Sequence, residues 1–197
     1  MMIPNLMTLR MDSVEYHNKT SAPWISTELF VTGCFKRCPD CFNKSLQSFN
    51  NGRNIPIKDI YWDFIKNVPY KRVTFGGGEP FLQAEPLFYL SRALRKSGFT
   101  VLCYSGYTAD ELPYLFSCTQ DLIEEIDILV DGPFIKDLFV PIVPISENNE
   151  SNFIGSSNQR MINVQKSLDK GQIILWTEED TLNVLNKSTT LSPSKIY

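Results

Sequence analysis

The chain has 197 residues, of which 43% are hydrophobic and 12% aromatic, and carries a formal net charge of -3. That length suits one domain whose core buries roughly 70% of the unfolded surface, and the balanced charge excludes the basic footprint of a nucleic-acid binder. No run approaches the ~18 consecutive apolar residues of a membrane span, and residues 1–10 lack the zones of a signal peptide, so a cytoplasmic protein is expected.

Disulfides are disfavoured in that compartment, and the Asn-x-Ser/Thr triplets at Asn18, Asn43, Asn149 and Asn186 are chance matches to a glycosylation pattern. The five cysteines are therefore read as metal-binding, catalytic or core residues.

Residues 1–26 have mixed polarity without a sustained period, and only Val14 to Tyr16 suggests an edge strand. Thr27 to Gly33, with Leu29, Phe30 and Val31, reads as a buried strand. Directly after it, Gly33 to Asn43 places Cys34, Cys38 and Cys41 within eight residues. Ser45 to Pro56 is polar and rich in Asn and Gly, after which Ile57, Ile60, Tyr61, Phe64, Ile65 and Val68 recur at helical spacing. Lys71 to Phe75 is a short strand stopped by Gly76-Gly77-Gly78-Glu79-Pro80. Leu87, Leu90 and Leu94 then mark a helix, with Pro86 near its start and Gly98 past its end.

Thr100 to Tyr104 is the next strand and Ser105-Gly106-Tyr107 the next loop, while Thr108 and Glu111 form a capping box ahead of Leu112, Leu115 and Phe116. Ile126 to Val130 is a further buried strand ending at Asp131-Gly132-Pro133-Phe134, and Met161 to Val164 and Ile173 to Trp176 are weaker candidates. Alternating strands and helices imply a parallel sheet with right-handed crossovers. A complete eight-unit barrel needs about 250 residues. The expected fold is therefore α/β, a partial (β/α) barrel of about five to six mostly parallel strands, in one domain spanning residues 1–197. Residues 1–26 are expected as a variable N-terminal segment and residues 178–197, which turn polar, as a loosely attached tail.

Each distinctive polar or glycine-rich segment begins where a strand ends, and in parallel α/β folds those ends share the edge where ligands bind. Three clustered thiolates ask for a metal, yet a closed zinc site or a complete iron–sulfur cluster takes four protein ligands. The functional reading is a [4Fe–4S] cluster with one iron left to bind a small molecule. The alternatives are buried free cysteines, which rarely cluster at this spacing, or zinc completed by Cys103, Cys118 or the lone His17, none of them obviously placed for it. Cys103 and Cys118 read as core residues and His17 as a surface one. Gly76 to Glu79 reads either as a tight turn or as a ligand loop, in which a carboxylate after exposed peptide groups suits an ammonium-bearing ligand. No Gly-Lys-Ser/Thr phosphate loop occurs.

The C-x3-C-x2-C spacing followed by the Gly-Gly-Glu loop resembles the radical S-adenosylmethionine (radical SAM) enzymes. Within them, Cys41-Phe42-Asn43, Gly77 to Pro80, Ser105 to Tyr107, Asp131 to Phe134 and especially Gly155 to Arg160 are similar to the activating proteins of anaerobic ribonucleotide reductases, over roughly Leu29 to Trp176. The resemblance implies cluster ligation by Cys34, Cys38 and Cys41, with SAM chelating the open iron and its methionine end held by Gly76, Gly77, Gly78 and Glu79. It further implies SAM contacts from Ser105 and Asp131, and site closure or partner contact from Asn158 and Arg160. The implied partners are a large glycyl-radical enzyme such as an anaerobic ribonucleotide reductase and a low-potential electron donor such as flavodoxin.

Two departures stand out. Asp40 replaces the aromatic residue that many radical SAM enzymes carry before the third cysteine. Ser21-Ala22-Pro23-Trp24-Ile25-Ser26 stands where those activators usually have Asp-Gly-Pro-Gly-x-Arg. A radical SAM enzyme acting on a small metabolite or peptide is accordingly a second reading, and a non-catalytic iron–sulfur carrier or zinc-stabilised module a third. The glycine-Glu loop weighs against the third, because a carrier needs no second ligand site.

Overall fold

A computed structural model describes residues 3–146 and 151–189. Its framework is one sheet of seven strands: β1 (Thr8–Asn18), β2 (Ser26–Val31), β3 (Arg53–Pro56), β4 (Arg72–Gly77), β5 (Thr100–Tyr104), β6 (Ile128–Asp131) and β7 (Arg160–Asn163). They lie in the order β3-β1-β2-β4-β5-β6-β7. β2, β4, β5 and β6 are mutually parallel, whereas β1 and β7 run antiparallel to their neighbours and β3 antiparallel to β1.

The fold is thus α/β, as expected, with a sheet that stays open. It has more strands than expected because β1 and β3 arise from stretches that show no sustained hydrophobic period. β1 buries Leu9 and Met11 but leaves most of its length exposed, and β3 is polar, so both are held by backbone pairing rather than by apolar side chains. Of the two weaker candidates, Met161 to Val164 overlaps β7, while Ile173 to Trp176 contributes only an isolated bridge between Leu175 and Ile162.

The parallel strands are buried on both faces. On one face Leu29, Val31, Val73, Phe75, Val101, Cys103 and Leu129 meet the helices. These are α1 (Ile57–Asn67), α2 (Ala84–Lys96), the single turn α3 (Leu112–Leu115), α4 (Thr119–Glu124) and α5 (Val164–Lys170). α1 contributes Ile57, Ile60 and Phe64, and α2 contributes Leu87, Leu90 and Leu94, all 4% exposed or less. Truncating one of these leucines to alanine removes about 2–5 kcal/mol. α2 ends at Gly98, whose φ of +85° lets its N–H and that of Phe99 return to the carbonyls of Arg95 and Leu94.

The opposite face carries Leu102, Ile128 and Val130, covered by Ala22, Trp24, Phe153, Trp176 and α6 (Glu178–Thr189). Here the expectation of a loose tail is corrected. α6 is a packed helix with Val184 8% exposed, and Thr177 and Asp180 cap its start. The rest of the expected tail, residues 190–197, lies outside the described residues. Among the described residues no helix is long and apolar enough to cross a membrane.

Candidate metal and cosubstrate centre

The ends of β2, β4, β5 and β6 bring the four singled-out loops to one edge of the sheet. The first two are joined backbone to backbone. Gly78 N–H donates to Val31 O and Glu79 N–H to Gly33 O, each at 2.8 Å. A Cβ on Gly78 would lie 2.5 Å from Gly33 O, and one on Gly77 would lie 2.6 Å from Val31 O at a φ of +97°. Glycine is therefore required on sterics, because the chain of one loop lies against that of the other.

Cys34, Cys38 and Cys41 are half-buried free thiols on the first of these loops. Gly33 and Cys34 donate their N–H groups to the carbonyls of Leu46 and Gln47. Arg37 and Asp40, one in each interval between cysteines, take the left-handed conformation at φ +47° and +58°. Burial pushes the Cys34 thiol up, a penalty that metal ligation reverses by deprotonating the sulfur. Among the described residues no three His, Cys, Asp or Glu side chains are gathered for a single metal ion. The fourth ligands that zinc would need stand elsewhere. His17 is exposed beside Tyr70 at the far end of β2, Cys103 is buried in β5, and Cys118 precedes α4.

Glu79 is 2% exposed and takes three protein donors. Phe81 N–H and Ser105 Oγ reach Oε1 at 3.1 Å, and Gly106 N–H reaches Oε2 at 2.9 Å. Expected as a ligand residue, it joins the second loop to the third and leaves one of its roughly four acceptor positions open. Burial holds its carboxyl at about 7, against the lowering effect of those hydrogen bonds and of Lys36. Ser105 is thus a partner of Glu79, and its hydroxyl also accepts from Tyr107 N–H.

Asp131 and the Gly155 to Arg160 block form a second interlocked pair. Arg160 Nε and Nη2 bind Asp131 Oδ1 and Oδ2, and Ala109 N–H occupies Oδ2 as well. Gln159 accepts from Gly155 and Ser156 N–H and donates to Gly132 O, while Asn158 Nδ2 donates to Pro133 O and leaves its buried Oδ1 unpartnered. The block reaches the cysteine loop through Phe42. That ring packs on Phe134 at 5.0 Å, and a Cβ on Gly155 would meet it at 2.8 Å.

Between these loops and the sheet lies a cavity of about 380 Å³, lined on the loop side by Phe42, Asn43, Gly76 to Gly78, Ser105 and Gly106. Its lining also includes Ser21, from the segment that departs from Asp-Gly-Pro-Gly-x-Arg, and three residues that no motif marked, Glu28, Asn18 and Glu15. The signal was present: Glu28 is the one charged residue of β2, immediately ahead of the apolar run Leu29 to Val31.

The family of the 4Fe-4S single cluster domain matches residues 24–162, which include all four loops. The chain belongs to that family. It is also similar to the anaerobic ribonucleoside-triphosphate reductase-activating protein of Escherichia coli (strain K12), 29% identical over 129 residues covering 61% of this chain and 82% of the relative. Its Salmonella typhimurium counterpart is 28% identical over 148 residues, 71% and 88% of the two chains. The pyruvate formate-lyase 1-activating enzyme of Escherichia coli (strain K12) is 25% identical over 173 residues, 85% of this chain and 65% of that one. The match to the 4Fe-4S single cluster domain family and these relatives bear out the radical SAM resemblance, the enzymatic class and the [4Fe–4S] cofactor.

Proposed function

We propose that this protein is a glycyl-radical activating enzyme whose partner is an anaerobic ribonucleotide reductase. The observation that carries the reading is the backbone junction of the cysteine loop with the glycine loop beside one cavity. Cys34, Cys38 and Cys41 fit three corners of a [4Fe–4S] cluster by donor chemistry and by their shared half-buried loop. A reduced cluster held there would supply the single electron needed to cleave the sulfonium of SAM, the chemistry through which hydrogen would be taken from a glycine of the partner.

The chain's own residues hold and shield. Gly76 to Gly78 offer peptide groups to the methionine end of SAM without side-chain obstruction, and the open acceptor position of Glu79 suits its ammonium. Ser105 and Gly106, fixed by Glu79, form the adjoining wall. Asp131 keeps Arg160 and the Gly155 block beside Phe42, where they close the site or meet the partner. A low-potential donor such as flavodoxin supplies the electron. The succession of β2, β4, β5 and β6 across the sheet, with α1 to α5 on one face, supports reading it as an incomplete barrel whose other face receives the substrate.

One observation favours a different substrate within the same chemistry. Ser21 lines the cavity, and its hydroxyl pairs with that of Ser26 at 3.2 Å, so the segment that departs from Asp-Gly-Pro-Gly-x-Arg belongs to the substrate wall. The test is anaerobic reconstitution, reduction and addition of SAM, with release of 5′-deoxyadenosine expected. A complete cluster that neither binds nor cleaves SAM overturns both readings. A glycyl-radical resonance on added anaerobic ribonucleotide reductase separates the first from the second.

A further inference from the structure

Two carboxylates, bridged by one amide, line the cavity. Asn18 Nδ2 donates to Glu28 Oε2 at 3.1 Å and to Glu15 Oε2 at 2.9 Å, so one amide nitrogen serves two acids. Glu28 is 7% exposed, whereas Glu15 is open to solvent. The hydroxyl of Ser21 also faces Glu28. On its other side, Glu28 Oε1 stands 2.6 Å from the place a Cβ on Gly76 would take. The carboxylate therefore rests on the first glycine of the glycine loop, which lines the same cavity. No lysine, arginine or histidine is among the described residues that line this cavity.

Burial, and the like charge of Glu15 beside it, both disfavour the ionised form of Glu28. An anionic ligand would worsen that repulsion. A cation entering the cavity relieves both the repulsion and the desolvation, because a buried carboxylate gains most from a paired, hydrogen-bonding partner. A volume of about 380 Å³ is of the size that holds a ligand, and a side chain carrying a charge at the end of an apolar stem suits walls that include Phe30, Tyr104 and Phe153.

We infer that Glu28, backed by Asn18 and Glu15, is a specificity-determining residue that receives a lysine or arginine side chain of the peptide segment from which hydrogen is taken. This rests on the activating-enzyme reading above. It makes the substrate segment cationic next to its reactive residue and excludes a phosphate or carboxylate in that position. Glu28 acts by binding and charge selection and takes no part in hydrogen transfer.

The test is calorimetric titration of the reconstituted, SAM-bound holoenzyme with capped pentapeptides acetyl-Ala-X-Gly-Ala-Ala-amide, where X is Lys, Ala or Glu. The lysine peptide is expected to bind at least tenfold more tightly than the glutamate peptide, and Glu28→Gln to bring the two within twofold, with Glu28→Asp keeping part of the preference. Cluster absorbance and far-ultraviolet dichroism verify that each variant is folded. Glu15→Gln alters an exposed side chain and is expected to narrow the ratio about threefold, so the inference is tested even if Glu28→Gln does not fold. Equal binding of the peptides by wild type, a preference that survives Glu28→Gln, or saturation of the site by magnesium or potassium ions alone overturns it. A lysine preference without release of 5′-deoxyadenosine would fall on the activating-enzyme reading instead, and release without charge preference on this one.

Discussion

Asp131, at the end of β6, and Arg160, at the start of β7, are held together by two parallel hydrogen bonds of 3.0 and 2.5 Å, with the carboxylate side chain 1% exposed and the guanidinium 35% exposed. The pair unites two motifs that looked independent in the sequence, and it raises the Arg160 pKa through the hydrogen bond to Asp131.

Removing Arg160 strands a buried carboxylate. Arg160→Ala is expected to lower apo stability by about 2–3 kcal/mol, below the ~3–5 of a fully buried pair because the arginine is partly solvated. Arg160→Lys restores the charge without the fork and should recover only part of the loss. Urea unfolding of the two variants measures both, and an Arg160→Ala stability equal to wild type would mean the pair carries no structural weight.

Cys34→Ala, Cys38→Ala and Cys41→Ala are each expected to abolish the visible absorbance of the reconstituted cluster, whereas Cys103→Ala and Cys118→Ala retain it. Cys103 is enclosed in β5 on the helix-covered face, and Cys118 sits ahead of α4. Loss of absorbance in either of these two would show a wrong ligand set.

Glu79→Gln keeps the shape but replaces an acceptor oxygen with a donor, so one of the N–H or O–H groups it now receives from Phe81, Ser105 and Gly106 loses its partner. An unpaired buried donor costs about 1–3 kcal/mol. SAM affinity is expected to fall tenfold or more, measured by equilibrium binding to the holoenzyme. Unchanged affinity would assign Glu79 to scaffolding alone.

Glu28 gives the chain a pH signature. Burial raises its carboxyl to about 7, from an ordinary value of 4.5. Because the folded value lies above the unfolded one, the favourable contribution of the protonated form is complete below about pH 4.5 and is lost as pH rises through about 7. Relative to Glu28→Gln, the wild-type apoprotein should weaken across that interval by up to about 3 kcal/mol, at about 1.4 kcal/mol per pH unit. Parallel pH–stability curves for the two proteins would refute the assignment.

Gly76 and Glu28 should behave as a coupled pair. A methyl at Gly76 would have to displace Glu28 Oε1, so Gly76→Ala is expected to cost about 1–3 kcal/mol in wild type and much less beside Glu28→Ala. A double-mutant cycle with no coupling energy would show that the carboxylate yields freely.

Much of this architecture is legible in the chain before it folds. The helical spacing of Ile57 to Val68, the capping box of Thr108 and Glu111, and the placement of every motif loop after a strand follow from local periodicity and turn chemistry. Val14 to Tyr16 does fall within β1, but the rest of β1 and all of β3 do not follow, because their stability resides in ladders between segments whose side chains are largely solvated. Nor does the locking of Gln159 and Asn158 onto Gly132 and Pro133, a contact between residues more than twenty positions apart that no local pattern encodes. α6 was hidden by its polar composition, since among the described residues Val184 is its one buried apolar side chain.

On the proposed assignment, the contact of Gly78 with Gly33 would make the seat of the metal and the seat of the cosubstrate one piece of backbone. A shift of one loop would then strain the other, and occupancy of the two sites is expected to be linked, by reciprocity in equal measure. A chelator drawing iron from the cysteine loop would then work against the cosubstrate as well, and saturating SAM should slow the bleaching of the cluster.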